Sequence, residues 1–442
     1  MNDNQLSSQY KITTCHIESD RLGGGENGDV ININSNVVEI SLFEDIEKPY
    51  ISGQIAISDD QGYIDGLDFS GTERLFIEMS SEDNTLAPVM SRYFIMTSID
   101  QVIKSNSAGQ ASVYVFTIMD EHAFLSKTKK ISRTVRDNIE TEIQKICGQD
   151  LKKNVDVSYL YPSVQNNIKV IIPYMHPLEA CEWLRDRATT STGCPMFLYA
   201  SIHDENIRLG SLDKMLEQDA WNTELPYLYS PPNVQKTEEK SPLHRTFQVQ
   251  AMRTAKIQNT FKQVMSGGVG STYNNTNLNT GQTRSEHYDV TTTLEKLKKA
   301  GIITKEQNVY PTDFQLNDKY VSDLDSRIYH QVTSSGTYGN YKSYHDELNV
   351  ETFTNKITNI SIRNMLYKNR LELTVPGAGF IISKASVGDI VKIETISDDP
   401  DPNSTNPLDS LRSGDFLIYN TRHTFKGNRH DVTMSVCKLV RG

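Results

Sequence analysis

Two histidines and three groups of charged side chains are the parts of this sequence that could carry out chemistry. His423 and His430 flank a predicted hairpin turn at residues 426–428, so their rings can approach each other across two antiparallel strands. A metal site built on two imidazoles needs further ligands. No carboxylate or third ligand stands at a spacing that completes such a site. The pattern therefore favours two surface histidines over a metal-binding pair.

Three carboxylates, Glu179, Glu182 and Asp186, share a predicted helix with Arg185 and Arg187. Opposite charges three and four residues apart on a helix are typical of a solvated, ion-paired face. Cleavage of peptidoglycan would need one carboxylic acid with a raised pKa in an apolar cleft and a second carboxylate opposite it. Nothing in the sequence singles out such a pair.

The remaining charged groups are an acidic loop and a basic cluster. The loop contains oxygen ligands of the kind that calcium prefers, but without the spacing of an EF-hand; its carboxylates are Asp398, Asp399, Asp401 and Asp409. The basic cluster favours a solvated face over a nucleic-acid patch, and it consists of Lys127, Lys129, Lys130 and Arg133. No Gly-x-Ser-x-Gly or His-Glu-x-x-His motif occurs, so we predict no catalytic residue, cofactor or metal.

Composition limits the environment in which the chain works. A length of 442 residues suggests several cores, and the net charge of -11 disfavours wrapping of nucleic acid. The five cysteines are scattered without a Cys-x-x-Cys motif, which favours free, buried thiols in a reducing cytoplasm: Cys15, Cys147, Cys181, Cys194 and Cys437. No run approaches the roughly 20 apolar residues of a membrane span, and we expect no signal peptide.

Short β-rich runs near the carboxyl terminus set the architecture. Residues 370–377, 387–393, 414–419 and 430–436 are rich in β-branched and aromatic side chains and bounded by turn residues. An earlier set matches three runs of this region in order and spacing: residues 71–79 match 388–396, 93–99 match 416–423, and 112–119 match 431–438. We therefore predict one small antiparallel β-barrel used twice; the alternative is two unrelated β domains.

The chain between the two sets changes character. Val135, Ile139, Ile143 and Ile146 lie at helical spacing, with Ser132 or Thr134 as the cap and Gly148 as the end. A second helix is predicted over residues 177–188, followed by strands over 195–200 and 206–210 and a short helix over 212–217.

Residues 266–350 are unusually polar and predict extended loops with a short helix near 294–300. Recurrent tyrosines in this stretch indicate either local packing or contact with another subunit: Tyr273, Tyr288, Tyr310, Tyr320, Tyr329, Tyr338, Tyr341 and Tyr344.

Residues 39–67, 413–418 and 421–424 together resemble the central baseplate hub of contractile-tailed bacteriophages, a family similar to the trunk of type VI secretion spikes. The resemblance extends from about residue 30 to residue 439, with 280–350 the least matched part. It implies two tube-like β-barrels per chain and a ring of three chains. Such a ring would join a six-fold tail tube or tube-initiator protein above to a three-fold spike below.

The predicted fold is thus mainly β with α+β parts. Residues 1–125 form an amino-terminal arm and first barrel, 126–245 an α+β domain, 246–265 with 351–442 the second barrel, and 266–350 the insertion. The resemblance implies a non-enzymatic homotrimer in the virion's tail baseplate, assembled in the host cytoplasm beside other baseplate proteins. DNA would only pass through its channel, whose wall we expect to be acidic. The alternatives are a tail-associated peptidoglycan-degrading enzyme and a carbohydrate-binding host-recognition protein.

Overall fold

A computed structural model describes most of the chain. It covers residues 10–19, 29–60, 62–81, 90–104, 112–161, 167–188, 190, 192–230, 246–255, 260–278, 281–302, 315–324, 326–333, 350–367, 370–397, 408–409 and 412–438. The predicted mainly β fold with additional helices is confirmed. Among these residues, no helix is both long and apolar enough to cross a bilayer.

Thirteen strands form one large sheet. In chain order its strands are β1 (Tyr10–Ser19), β2 (Asp29–Asn32), β3 (Val37–Asp45), β4 (Ser52–Asp59), β5 (Arg74–Ser81), β6 (Met90–Ile103), β7 (Ser112–Asp120), β13 (Tyr227–Tyr229), β14 (Ala251–Ala255), β20 (Arg370–Pro376), β21 (Ile390–Thr395), β22 (Gly414–Lys426) and β23 (Arg429–Cys437). Apolar side chains alternate along most of them, as in β4 with Ile55 and Ile57, so that one face is buried. A short helix, α1 (Tyr63–Gly66), lies between β4 and β5.

The strand order of this sheet repeats. In the first half, β3, β4, β7, β6 and β5 are neighbours in that order, and in the second half β14, β20, β23, β22 and β21 are, all with antiparallel pairing. We call these two sets the first and second sheet copies. Thr97 in β6 and Tyr419 in β22 form a bulge at the same point of the ladder. Counting from that bulge places Ile77 and Ile393, both fully buried, at equivalent positions, as the predicted duplication requires.

The two copies are joined edge to edge. The second half of β22 leaves β21 and pairs with β3 of the first copy, from Asn420↔Asp45 to Lys426↔Glu39. The path of these strands runs from β14 to β2 without closing, so they form one continuous sheet, and no closed barrel is found among the described residues.

An α+β segment follows the first copy. It contains α2 (Glu121–Thr128), β8 (Thr134–Asn138), α3 (Ile139–Asp150), β9 (Val155–Asp156), β10 (Asn167–Ile171), α4 (Pro177–Arg185), β11 (Met196–Ala200), β12 (Ile207–Ser211) and α5 (Leu212–Leu216). Strand β8 pairs with β10, and β11, β12 and β9 form a second small sheet. The segment has its own apolar core around Ile143, Leu184 and Leu198.

The bounds of two helices differ from the prediction. Val135 lies in strand β8, and α3 begins only after Asn138, whose side chain accepts a hydrogen bond from the Glu140 N–H at 3.2 Å. The four-residue spacing between Val135 and Ile139 misled because both side chains enter the same core from different elements. The helix also continues through Gly148 to Asp150, and α4 ends at Arg185 rather than at residue 188.

The polar segment is more ordered than predicted. It contains β15 (Gly270–Asn277), β16 (Thr283–Asp289), α7 (Val290–Lys299), β17 (Gln315–Leu316), β18 (Lys319–Tyr320), a 3-10 turn at Val321–Asp323 and β19 (Ile328–Thr333), and it is flanked by α6 (Thr260–Met265) and α8 (Val350–Leu366). Strands β16, β15 and β19 form a sheet. The expectation of extended loops was therefore wrong for the described part, because its tyrosines and Val290 and Leu297 supply a small apolar face. The final helix, α9 (Ala378–Ser383), follows β20.

Candidate functional site at the junction of the two sheet copies

The junction between β22 and β3 encloses a buried polar network around Glu44. This carboxylate is fully buried and accepts hydrogen bonds from the Ile202 N–H at 2.8 Å, Ser386 Oγ at 2.9 Å and Thr421 Oγ1 at 2.6 Å. His423 Nε2 lies 3.4 Å from Glu44 Oε2. The network therefore connects the first copy, the second copy and the α+β segment through one side chain.

The two predicted histidines belong to this network. His423 Nδ1 lies 3.1 Å from His430 Nε2, so the predicted approach across the hairpin occurs. Their exposed fractions are 0% and 1%, so the prediction of surface histidines was wrong. The reason is that aromatic side chains cover both rings: Phe380 of α9 packs edge-on against His423, and Phe425 of β22 stacks on His430.

Electrostatics holds the network in a defined charge state. Burial alone would raise the pKa of Glu44, but the hydrogen bond and charge of His423, the charge of His203 and the Thr421 hydroxyl lower it to about 2. Burial, reinforced by the nearby imidazoles of His423 and His203, holds the pKa of His430 well below its usual value. Glu44 is thus an anion and His430 a neutral ring. No group of three His, Cys, Asp or Glu side chains in the described part of the chain is arranged to hold a metal ion.

A buried ion pair also connects the first copy to the α+β segment. Arg92 Nε lies 3.1 Å from Asp120 Oδ1, and the guanidinium also donates to the Ser201 and Asp204 carbonyls at 2.8 Å each. Asp120 in turn accepts from the Ile51 N–H at 2.7 Å. Every nitrogen of the guanidinium therefore has a partner, which is what a buried arginine needs.

The predicted carboxylate face on α4 is ion-paired. Glu179 accepts from Lys127 Nζ at 2.6 Å, which lowers its pKa, whereas burial raises the pKa of Glu182. Arg185 is buried between Glu47 and Asp186, and Arg187 lies over the Trp183 ring. Two cavities of about 250 and 460 Å³ adjoin Trp221, and no residue of α4 lines either of them.

The other predicted groups are also engaged within the chain. Lys129 pairs with Asp150, Arg133 with Glu142, and Lys130 lies over the Tyr174 ring. Asp409 pairs with Arg412 at 3.3 Å, while Asp398, Asp399 and Asp401 lie outside the described residues. All five cysteines are free and buried, as expected.

The tyrosines of the polar segment divide into two groups. Tyr273 and Tyr329 stack with their ring centroids 4.9 Å apart, and Tyr288 is buried beside them. These three pack locally, as one of the two interpretations predicted. Tyr320 is 44% exposed. Tyr310, Tyr338, Tyr341 and Tyr344 lie outside the described residues.

Sequence reasoning missed Glu44, although a signal was available. Glu44 follows Ile40 and Leu42 at a spacing of two, so the alternation of β3 places it on the buried face. A carboxylate at a position where the strand pattern requires an apolar side chain must find partners inside the protein. That conflict between residue type and strand pattern is visible in the sequence alone.

The fold that holds this network is similar to that of known tail proteins. The structure resembles the tail protein from Neisseria meningitidis MC58, with a TM-score of 0.53 at 12% identity, covering 97% of this chain and 96% of that one. It also resembles the 43 kDa tail protein of prophage MuSo2 from Shewanella oneidensis, with a TM-score of 0.50 at 11% identity over 96% and 97% of the two chains. No protein-family model and no curated protein sequence matches the chain. The chain therefore has the fold of these tail proteins, which confirms the tail-protein fold that the resemblance predicted.

Proposed function

We propose that this protein is a non-enzymatic structural hub of a contractile phage tail baseplate. Three chains would form a ring that presents six similar sheet copies to a six-fold tail tube or tube-initiator protein and three-fold surfaces to a central spike. Its channel would let DNA pass, and other baseplate proteins would contact its outside. It would act in the virion's tail after assembly in the host cytoplasm.

The observation that carries the proposal is the repeated strand order within one chain. A threefold assembly imitates sixfold symmetry only if each chain offers two equivalent surfaces. The two sheet copies share five strands in the same order, antiparallel pairing and a bulge at the same ladder position. The similarity of the fold to that of tail proteins supports a location in the virion's tail.

The proposed division of the chain follows the predicted bounds. The arm and first copy occupy 1–125, the α+β domain 126–245, the second copy 246–265 and 351–442, and the insertion 266–350. The α+β domain would be held against the first copy, because Glu44 and Arg92 of that copy both bind main-chain atoms of residues 201–204.

Native mass spectrometry of the purified chain tests the proposal. We expect a trimer, and electron microscopy of the same sample should show a threefold particle with six similar lobes around a central opening. A monomer at high protein concentration, or a dimer with a twofold axis, would contradict the hub.

A muralytic enzyme is the second candidate, and one observation favours it: burial raises the pKa of Glu182. Zymography on purified cell walls separates the two functions. Clearing that survives stringent purification and disappears in Glu182→Gln but not in Glu224→Gln, a change outside α4, would favour the enzyme. Absence of clearing by the intact trimer would favour the hub.

A further inference from the structure

The junction inside the chain has an unoccupied counterpart in the first copy. The second half of β22 pairs with β23 on one edge and with β3 on the other. The equivalent second half of β6, Ser98–Ile103, pairs with β7 on one edge, and no described strand pairs with the other. A row of main-chain hydrogen-bonding groups is thereby left open.

Exposure along the two strands shows that this edge of β6 lacks a neighbouring strand among the described residues. In β22, which has β3 beside it, Thr421 and His423 are fully buried. In β6 every residue from Ser98 to Ile103 is exposed, including apolar side chains whose exposed fractions are 38% for Ile99, 42% for Val102 and 51% for Ile103. These residues have the β-branched character of a paired strand and the exposure of an unpaired one.

The complementary edge lies at the other end of the sheet. Strand β14 is the second copy's equivalent of β3, and it is the terminal strand, paired only with β20 among the described residues. Thr254 is equivalent to Leu42, because both lead to the shared bulge through the same succession of strands. Thr254 pairs with Leu371, whose partner on β23 pairs with the β22 residue just before the bulge. Leu42 pairs with Gly53, whose partner on β7 pairs with the β6 residue just before the bulge.

The geometry points to a second copy of this chain as the occupant of both edges: the second half of β6 pairs antiparallel with β14 of the next chain, head to tail. The internal junction gives the register. His423 pairs with Leu42, and after the additional bulge at Asp100 the equivalent of His423 is Val102. Val102 therefore faces Thr254 of the next chain, and Ile103 faces Arg253.

The main-chain groups at this position point outward. The Ile46 N–H donates to the Tyr419 carbonyl at 3.0 Å, so the even-numbered residues of β3, including Leu42, direct their N–H and C=O toward β22. By equivalence, Thr254 directs the same groups away from β20, into the open edge. The pair formed with Val102 would thus be hydrogen-bonded, whereas Ile103 with Arg253 would be the closer, non-hydrogen-bonded pair.

This pairing repeats the direction of the internal junction, in which the β6-type strand of one copy meets the β3-type strand of the next. Such head-to-tail contacts close into a ring or continue as a filament. The inference rests on the proposed function for the number of chains, three, which gives six junctions alternating within and between chains. The register itself follows from the internal junction alone.

Cysteine cross-linking tests the register. Ile103→Cys combined with Arg253→Cys places two thiols on a pair whose Cα atoms are about 4.5 Å apart, within the range that a disulfide spans. All native cysteines are buried, so the background is low. After mild oxidation we expect covalent trimers on a denaturing, non-reducing gel. The control, Ile103→Cys with Thr254→Cys, shifts one thiol to the opposite face and should give no such band.

A proline variant tests the main chain itself. Thr254→Pro removes the outward N–H without removing a bond to β20, so we expect an unchanged thermal midpoint but trimer formation weakened by at least about tenfold. Thr254→Ala, which keeps the N–H, should assemble like the wild type.

The outcomes separate the inference from the proposed function. A trimer by mass spectrometry with no cross-link, and with full assembly of Thr254→Pro, would overturn the pairing and leave the hub standing. Cross-linked ladders of unlimited length would support the pairing and overturn the ring of three. A chain that stays monomeric and never cross-links would overturn both.

Discussion

Removal of the Glu44 carboxylate should weaken the junction between the two sheet copies and lower the free energy of unfolding. Glu44→Ala leaves the Ile202 N–H, the Ser386 and Thr421 hydroxyls and His423 without their acceptor, inside a buried region of the junction. Each buried donor that loses its acceptor costs about 1–3 kcal/mol, so the loss of several together should reach about 3–5 kcal/mol. Because total stabilities are about 5–15 kcal/mol, this is a large fraction of what holds the chain folded.

Two variants divide that loss into its parts. Glu44→Gln keeps the shape and one oxygen acceptor, so we expect a loss of about 1–3 kcal/mol. Thr421→Val removes a hydrogen bond to a charged group, also about 1–3 kcal/mol, and should cost less in the Glu44→Gln background, because the bond no longer ends on an anion. Urea denaturation followed by circular dichroism measures the free energies of unfolding of the wild type, the two single variants and the double variant.

The matched control is Glu39→Ala on the same strand. Glu39 is 29% exposed and pairs with Lys426 at 3.2 Å, so its loss should cost no more than about 1 kcal/mol. If Glu44→Ala unfolds within about 1 kcal/mol of Glu39→Ala, the reasoning that the network stabilises the junction is refuted.

Three further predictions concern stability. Because the folded pKa of His430 lies well below the unfolded value, its contribution to stability is present above pH 6.5 and is lost as the pH falls below it. In His430→Phe the free energy of unfolding, measured by urea denaturation, should therefore fall less between pH 7 and 5 than in the wild type, by up to about 1.4 kcal/mol per pH unit, and the same pH dependence in both proteins would contradict this. Arg92→Met should cost about 3–5 kcal/mol in urea denaturation because its buried partner Asp120 is left without a cation, whereas loss of the surface Arg74, which is 44% exposed, in Arg74→Met should cost under about 1 kcal/mol; equal losses would argue against the buried pair. In thermal melts Gly53→Ala should destabilise by about 1–3 kcal/mol because its Cβ would meet the Ser41 carbonyl, while Gly148→Ala, in open space within α3, should stabilise by about 0.5–1 kcal/mol; a reversal of that order would be inconsistent with the close strand packing.

Strands could be predicted well from this sequence because their signal is local. Turn residues and β-branched runs placed β20 to β23 and the strands from β5 to β7, and the repeat was visible as a rhythm even though side-chain identity is low. The equivalence of Ile77 and Ile393 follows from that rhythm. Helix starts were less predictable, since Val135 satisfies both a strand and a helix spacing and only the pairing of β8 with β10 decides between them.

The junction could not be predicted because its residues are distant in the chain, with Glu44 and His423 lying 379 positions apart. Nothing near His423 reveals that Glu44 and Ser386 surround it. A local sequence pattern indicates which face of a strand is apolar. Which strand pairs along its edge depends on how the whole sheet is arranged. The same limit made His423 look exposed, since the strand beside it belongs to the other copy.

The internal junction and the proposed junction between chains differ in chemistry for a physical reason. The internal junction forms once, while the chain folds, so it can bury Thr421, His423 and Glu44 in a network that tolerates only one register. The open edge must remain in water before assembly, and a buried-type ion network there would be hydrated and would fix no register.

Strand β6 instead carries Ile99 and Val102 beside a bulge at Asp100, whose carboxylate accepts from the Ser98 hydroxyl at 2.8 Å. A bulge and a charge on an edge strand discourage pairing with unrelated strands. Replacement of Asp100 by Asn should therefore increase aggregation of the unassembled chain, measured by light scattering, more than the same change at exposed Asp415 does. Equal scattering of the two variants would show that the edge is protected by something else.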